Sequence, residues 1–352
     1  MRRLFKLGCA VLAAVPVVAL AACSSGGGSG VASGPPPEVS SIVVDAVPTA
    51  DEAGLYIAQD NGYFKAQGLN VTIVAVPGGE PGLPNLQDGS AQLLAGNYVS
   101  FILAQIAGRF GLTPASTKPI SLRIIADGSQ MQPGNQAIYV MPDSKVKTVA
   151  DLVKYRATVA FNSPNNVGQV FFRSLFSADG LNFGKIKQVF SKFPDTLGAL
   201  AGGKIDAAWL PEPFGTIAQQ AFGAVPIADF DQGSLQNFPI GAYIGTSQWI
   251  QAHPNTVAAF LHALQEGQEV ADTSRSEAEH VLVKYTLVPN GMSQGEADQI
   301  ASLLTLNSYP LAMDVPTMQR VSDAMFEFGL EPGYTLPYNL LNMIQPEPGM
   351  IR

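Results

Sequence analysis

Cysteine is almost absent from this 352-residue chain: Cys9 and Cys23 are the only two, and nothing after them can form a disulfide or act as a thiol nucleophile. Histidine is nearly as scarce. His253, His262 and His280 all fall after residue 250, at spacings that match no metal-ligand pattern. There is no Walker loop and no GxSxG elbow. No catalytic residue, metal site or cofactor is therefore expected. Charge is thin at 14% of residues, and acidic side chains outnumber basic ones for a net charge of −8. That balance argues against a nucleic-acid partner and against a polybasic membrane contact. Past residue 22 no apolar run is long enough to span a bilayer. What these absences leave is a globular chain, 47% hydrophobic, with more residues than one typical core accommodates, so two lobes are expected.

The first 22 residues stand apart. Arg2, Arg3 and Lys6 precede an apolar stretch from Leu7 to Leu20, and Ala21 and Ala22 lead to Cys23. Positive start, short apolar run and small-residue exit are the pattern of a secretory signal peptide. Leu20-Ala21-Ala22-Cys23 resembles the bacterial lipobox. The resemblance implies cleavage before Cys23, diacylation of its thiol, and a protein lipid-anchored on the extracytoplasmic face of the cell membrane. Two acyl chains hold firmly, at about 0.8 kcal/mol per buried methylene. Loss of the signal removes three positive charges and leaves −11. Residues 23–40 then read as anchor and linker. Ser24–Pro37, SSGGGSGVASGPPP, cannot bury enough apolar surface to fold.

From Ser41 onward, β-rich segments alternate with helical ones. Strands are expected at Ser41–Val47, Leu69–Val76, Ala91–Ala95, Leu122–Ala126, Ala137–Met141, Ala157–Phe161, Lys187–Phe190, Ile205–Leu210, Ala224–Ile227 and Gly241–Gly245. Helices fall between most of them, and four more follow Pro254. Such alternation implies an α/β fold with parallel pairing and helices on both sheet faces. Asn255 is a candidate cap for the first late helix, and Ser293 with Glu296 forms a capping-box pattern.

Three segments in register carry a family resemblance. Gly62-Tyr63-Phe64, Gly68-Leu69 and Val71 form the first, and Gly89–Ala104 (GSAQLLAGNYVSFILA) the second. The third is Ala199-Leu200, Gly203, Ile205-Asp206-Ala207 and Glu212-Pro213. Their order and spacing resemble the substrate-binding proteins of ABC importers that serve nitrate, sulfonates, taurine and thiamine-pyrimidine precursors. The resemblance implies a two-lobed type II periplasmic-binding-protein fold with a C-terminal helical extension. Lobe 1 comprises 41–128 plus 245–352, and lobe 2 comprises 129–244. Two crossover segments are expected near Ala126–Tyr139 and Ile240–Gly245. It also implies hinge closure on a small molecule, delivery to the transmembrane subunits of a permease, and a monomer.

Four loops should face the cleft, each with a plainer reading beside the binding one. Thr49 and Asp51 follow the first strand, where Asp51 either meets ligand or caps the next helix. Asn97 and Tyr98 end a short strand beside Gly96, as ligand contacts or as a simple turn. Ser163, Asn165 and Asn166 open a helix whose free amides and dipole suit an anion, or they cap it. Trp209 stacks on a ligand or fills the core. Glu212 meets ligand or fixes its loop. The resemblance puts a sulfonate- or nitrate-like anion slightly ahead of a thiamine-type pyrimidine or other heterocycle. Relatives of this fold that are precursor-biosynthesis enzymes depend on cysteine- and histidine-rich segments that this chain lacks.

Overall fold

The computed structural model describes residues 34–110, 120–164, 166–310, 312–331 and 333–345. The signal, Cys23 and Asn165 lie outside the described residues. Two five-stranded sheets organise the rest. The first half supplies β1 (Ser41–Ala46), α1 (Ala53–Asp60), α2 (Tyr63–Ala66), β2 (Asn70–Ala75), α3 (Gly79–Asp88), β3 (Leu93–Asn97), α4 (Tyr98–Phe110) and β4 (Leu122–Gln130). Next come β5 (Gln136–Val140), α5 (Val149–Lys154), β6 (Thr158–Phe161), α6 (Val167–Ala178), β7 (Lys187–Phe190), α7 (Phe193–Ala201), β8 (Ala207–Pro211), α8 (Phe214–Phe222) and β9 (Val225–Asp229). The chain then returns through β10 (Pro239–Thr246) and α9 (Ser247–Ala252). It ends in α10 (Pro254–Thr273), α11 (Arg275–Leu282), α12 (Gln294–Leu303) and α13 (Val315–Glu327).

The sheet orders are β2-β1-β3-β10-β4 and β7-β6-β8-β5-β9. The expected parallel pairing holds for β1 with β2 and β3, and for β6 with β7 and β8. It fails at β10 and β5, each of which runs antiparallel between its neighbours. The reason is connectivity. β5 and β10 arrive straight from the other lobe with no intervening α-helix, only the 3-10 turn Gly233–Leu235 before β10, so the βαβ geometry that makes neighbours parallel does not apply to them. The crossings themselves are residues 131–135 and 230–238. β10 pairs along its length with β3 and β4, so the second crossing ends before Pro239 rather than running through Ile240–Gly245.

The late helices do not simply extend lobe 1. α10 and α11 pack on α1, but α12 reaches α8 of lobe 2, and α13 touches α4 and β10 on one side and α6 on the other. Arg320 on α13 donates to the carbonyls of Ser234, Gln236 and Asn237, clasping the second crossing. Apolar periodicity makes these helices legible in sequence. Which lobe covers each apolar face is a tertiary matter.

Helix caps refine the local picture. Ser293 and Glu296 make the expected capping box on α12. Asn255 does not cap α10. The Glu38 carboxylate does so from outside, accepting from Asn255 N (2.9 Å), Thr256 N (2.8 Å) and the Thr256 hydroxyl (2.9 Å). Burial works against that charge, but these bonds hold the carboxyl down to about 2. Glu38 is thereby fastened to the start of α10.

Candidate functional site

The two lobes meet. Ala50 N donates to the Glu212 carbonyl at 2.9 Å, and Asn162 Nδ2 donates to the Pro77 carbonyl at 3.0 Å. Between them lies a cavity of ≈ 390 Å³, part of it open to solvent. Thr49, Asp51, Glu52 and Asn97 line it from the first lobe, and Gln136, Asn162, Phe193 and Trp209 from the second. It sits at the carboxyl ends of β1, β3 and β8, where open α/β sheets gather ligands.

Each wall residue is set by its neighbours. The short 3-10 turn Ala50–Glu52 follows β1 and carries Asp51 and Glu52 into the cavity. Asp51 does not cap: its carboxylate accepts from Thr49 Oγ1 at 2.7 Å, Ser129 Oγ at 3.0 Å and Asn307 Nδ2 at 2.7 Å. Burial pushes its carboxyl up against those three bonds. Burial, with the Asp51 charge beside it, pushes Glu52 well above the usual carboxylate range, opposed by a bond from the Tyr243 hydroxyl at 3.2 Å.

Asn97 ends β3, and its Oδ1 accepts from Ser100 N at 2.9 Å. Its neighbour Tyr98 departs from the expectation. The ring is fully buried, and its hydroxyl donates to Asp127 at 2.9 Å, outside the cavity lining. Tyr98 begins α4, and that first turn points it back into the lobe's core.

On the second lobe, Asn166 is the α6 cap, closing a capping box with Gln169. Its amide also donates to Asn162 Oδ1 and to the Ser163 carbonyl. Asn166 is thus committed to the helix start and lies outside the lining, while Val167 and Asn162 border the cavity. Ser163 is buried, with its hydroxyl facing the lobe junction near Gly78. Trp209 does line the cavity, held edge-on by Phe171 and Phe193 and by its indole N–H to Gln136 Oε1 at 2.9 Å. Gly168 packs on its ring so closely that an added Cβ would lie 2.6 Å from Cδ2.

Glu212 stands behind the wall. Its carboxylate accepts from Thr216 N at 3.1 Å and Thr216 Oγ1 at 2.7 Å, fixing the turn into α8. Burial raises its carboxyl to about 7. Of the aromatics, Phe161 and Phe214 belong to the core, and Phe193 takes the place at the cavity. Sequence reasoning missed Glu52, Gln136 and Phe193. Glu52 had a usable signal, adjacency to Asp51 in a strand-to-helix turn. Gln136 had none, because its position depends on where the chain crosses between lobes. Among the described residues no cluster of His, Cys, Asp and Glu is placed to hold a metal ion.

A family model described as NMT1/THI5 like matches residues 49–278. No curated protein matches the chain. Solved structures do. The alkanesulfonate-binding protein SsuA from Xanthomonas axonopodis pv. citri, bound to MOPS, superposes with a TM-score of 0.70 at 17% identity, covering 88% of this chain and 99% of that one. The periplasmic aliphatic sulphonate binding protein SsuA from Escherichia coli gives 0.64 at 18%, covering 87% and 98%. The periplasmic nitrate-binding protein NrtA from Synechocystis PCC 6803 gives 0.63 at 18%, covering 73% and 69%. At such identities the likeness shows the fold.

Proposed function

The chain belongs to the NMT1/THI5-like family, and from that premise we propose that it is an extracytoplasmic solute receptor of an ABC importer. It binds a small molecule between its lobes, leaves it unchanged and delivers it to the permease. The observation that carries this reading is the cavity at the lobe junction, walled by both lobes and closed over by the Ala50–Glu212 and Asn162–Pro77 bonds. A wall assembled only when two lobes meet couples binding to closure, and closure is what a permease can recognise. The Cys23 anchor and the linker behind it would keep a monomeric receptor beside its permease.

The non-enzymatic reading is supported by the structural neighbours, whose names are those of binding proteins. The names of the structural neighbours bring sulfonate and nitrate forward as ligands, and the α6 end beside Asn162 suits an anion best. Asp51 and Glu52 favour the second reading, a nitrogenous heterocycle, because their carboxyl oxygens can accept from ring or amino N–H groups.

Mass spectrometry of small molecules released on denaturing the purified protein tests the receptor reading directly. A true ligand, added back, raises unfolding free energy by about 2.7 kcal/mol at a hundredfold excess over Kd. A protein that releases nothing, and whose unfolding no candidate solute shifts, is not this receptor.

A further inference from the structure

Two adjacent residues of the second lobe meet the first lobe in opposite ways. Asn162 reaches the junction already oriented. Its Oδ1 accepts from the Asn166 amide, so its NH2 group turns the other way and donates to the Pro77 carbonyl at 3.0 Å. Asn166 is itself fixed as the α6 cap. Ser163 arrives with no such partner. Its hydroxyl is buried, and no described group donates to it or accepts from it.

Gly78 of the first lobe faces that hydroxyl. An ideal Cβ on Gly78 would lie 3.1 Å from Ser163 Oγ and 3.1 Å from Asn162 Nδ2, both across the junction, and 3.4 Å from Pro81 Cδ in its own lobe. Gly78 has φ 176° and ψ 169°, extended backbone that any residue adopts. The glycine is thus required by the approach of the other lobe and not by its own turn.

We propose that Asn162 and Ser163 act on lobe closure with opposite sign: the Asn162–Pro77 bond favours the closed form, and burial of the Ser163 hydroxyl under Gly78 opposes it, so that the receptor rests open until solute binds between the lobes. The inference rests on the receptor reading and adds what sets its resting state. On closure the Asn162 amide exchanges water for the Pro77 carbonyl, a small net gain. The Ser163 hydroxyl gives up water and receives no protein partner, a full desolvation cost. A closed form that is a minor population at rest lowers apparent affinity by its fraction, so Ser163 tunes affinity without touching solute.

Single-molecule FRET on the mature chain tests this. The parent carries Cys23→Ser, with dyes at Thr72→Cys on β2 and Lys187→Cys on β7, two exposed positions on different lobes. Dialysis from denaturant strips any retained molecule, and the protein is measured in buffer alone. The parent should be mostly open. Ser163→Ala should raise the closed-to-open ratio roughly fivefold or more. Asn162→Asp keeps the acceptor for Asn166 but loses the donor to Pro77, and should lower the ratio. Gly78→Ala should lower it too, by crowding the junction from the first lobe, and it reads the same contact should an α6 variant fail to fold. A parent mostly closed in buffer, a Ser163→Ala ratio that is unchanged or lower, or a Gly78→Ala that closes as often as the parent overturns the inference. Because no solute is added, each of these results leaves the receptor reading to its own test on released molecules.

Discussion

The side-chain amide of Asn307 donates to the Asp51 carboxylate at 2.7 Å, joining the segment after α12 to the cavity wall across 256 residues of chain. The same segment makes other ties. Tyr309 donates its hydroxyl to the Ala50 carbonyl at 2.6 Å, and Gln130 N donates to the Ser308 carbonyl at 2.9 Å. The loop between α12 and α13 is thus the back support of the 3-10 turn that carries Asp51 and Glu52.

Removing that support should cost both stability and affinity. Asn307→Ala leaves a buried carboxylate with one donor fewer, an effect of about 1–3 kcal/mol. Urea denaturation should show a lower midpoint at unchanged m-value, with weaker binding of whichever solute the wild type retains. Unchanged stability would mean that water replaces the amide without loss.

Gly168 marks a place where no side chain fits. Its ideal Cβ would lie 2.6 Å from Trp209 Cδ2, with the indole pinned by Gln136. Gly168→Ala should destabilise by about 1–3 kcal/mol, the usual range for overpacking a tight core. It should also shift the tryptophan fluorescence, because either α6 or the ring must move. A fully wild-type melting curve would show that α6 can slide away freely.

Asp127 gives a pH signature. Burial raises its carboxyl from the ordinary 3.8 to about 7, with the Tyr98 hydroxyl and Gly128 N donating to one oxygen and the other oxygen accepting nothing. The folded protein therefore keeps this proton across a range where the unfolded chain has lost it. Its contribution is fully present below about pH 4 and is lost as pH rises toward 7. Asp127→Asn should flatten that part of the stability profile and gain on the wild type at pH 8. Parallel profiles for the two proteins would rule the assignment out. Glu212, also raised to about 7, adds a second contribution of the same sign.

The anchor is tested at one atom. Cys23→Ser should give folded, ligand-competent protein that is missing from the membrane fraction, as read by fractionation and by the mass of the N-terminal peptide. Retention on the membrane after signal removal would show that something other than the Cys23 thiol holds the protein there.

Much of the fold was readable in the chain because its signals are local. The β-rich runs became β1, β2 and β7 within a residue at either end, and the Ser293–Glu296 box formed as spaced. The site was legible only in part. Thr49, Asp51, Asn97 and Trp209 line the cavity, near the carboxyl ends of β1, β3 and β8. Tyr98 and Asn166 sit in equally suggestive loops and point into the core and the helix start. One residue along a turn reverses a side chain's direction, and a motif does not encode which way it goes.

Sequence alone determined the alternation of strands and helices, the two-lobed family and the scarcity of catalytic chemistry. Periodicity, composition and motif spacing are properties of neighbouring residues. Only the tertiary structure decided where the chain crosses between lobes, that α12 and α13 touch both of them, and that Gln136 and Asn307 act on the same wall as Asp51. Those facts come from contacts between residues far apart in the chain. They exist only once both sheets have formed and their packing has fixed which buried polar groups can find partners.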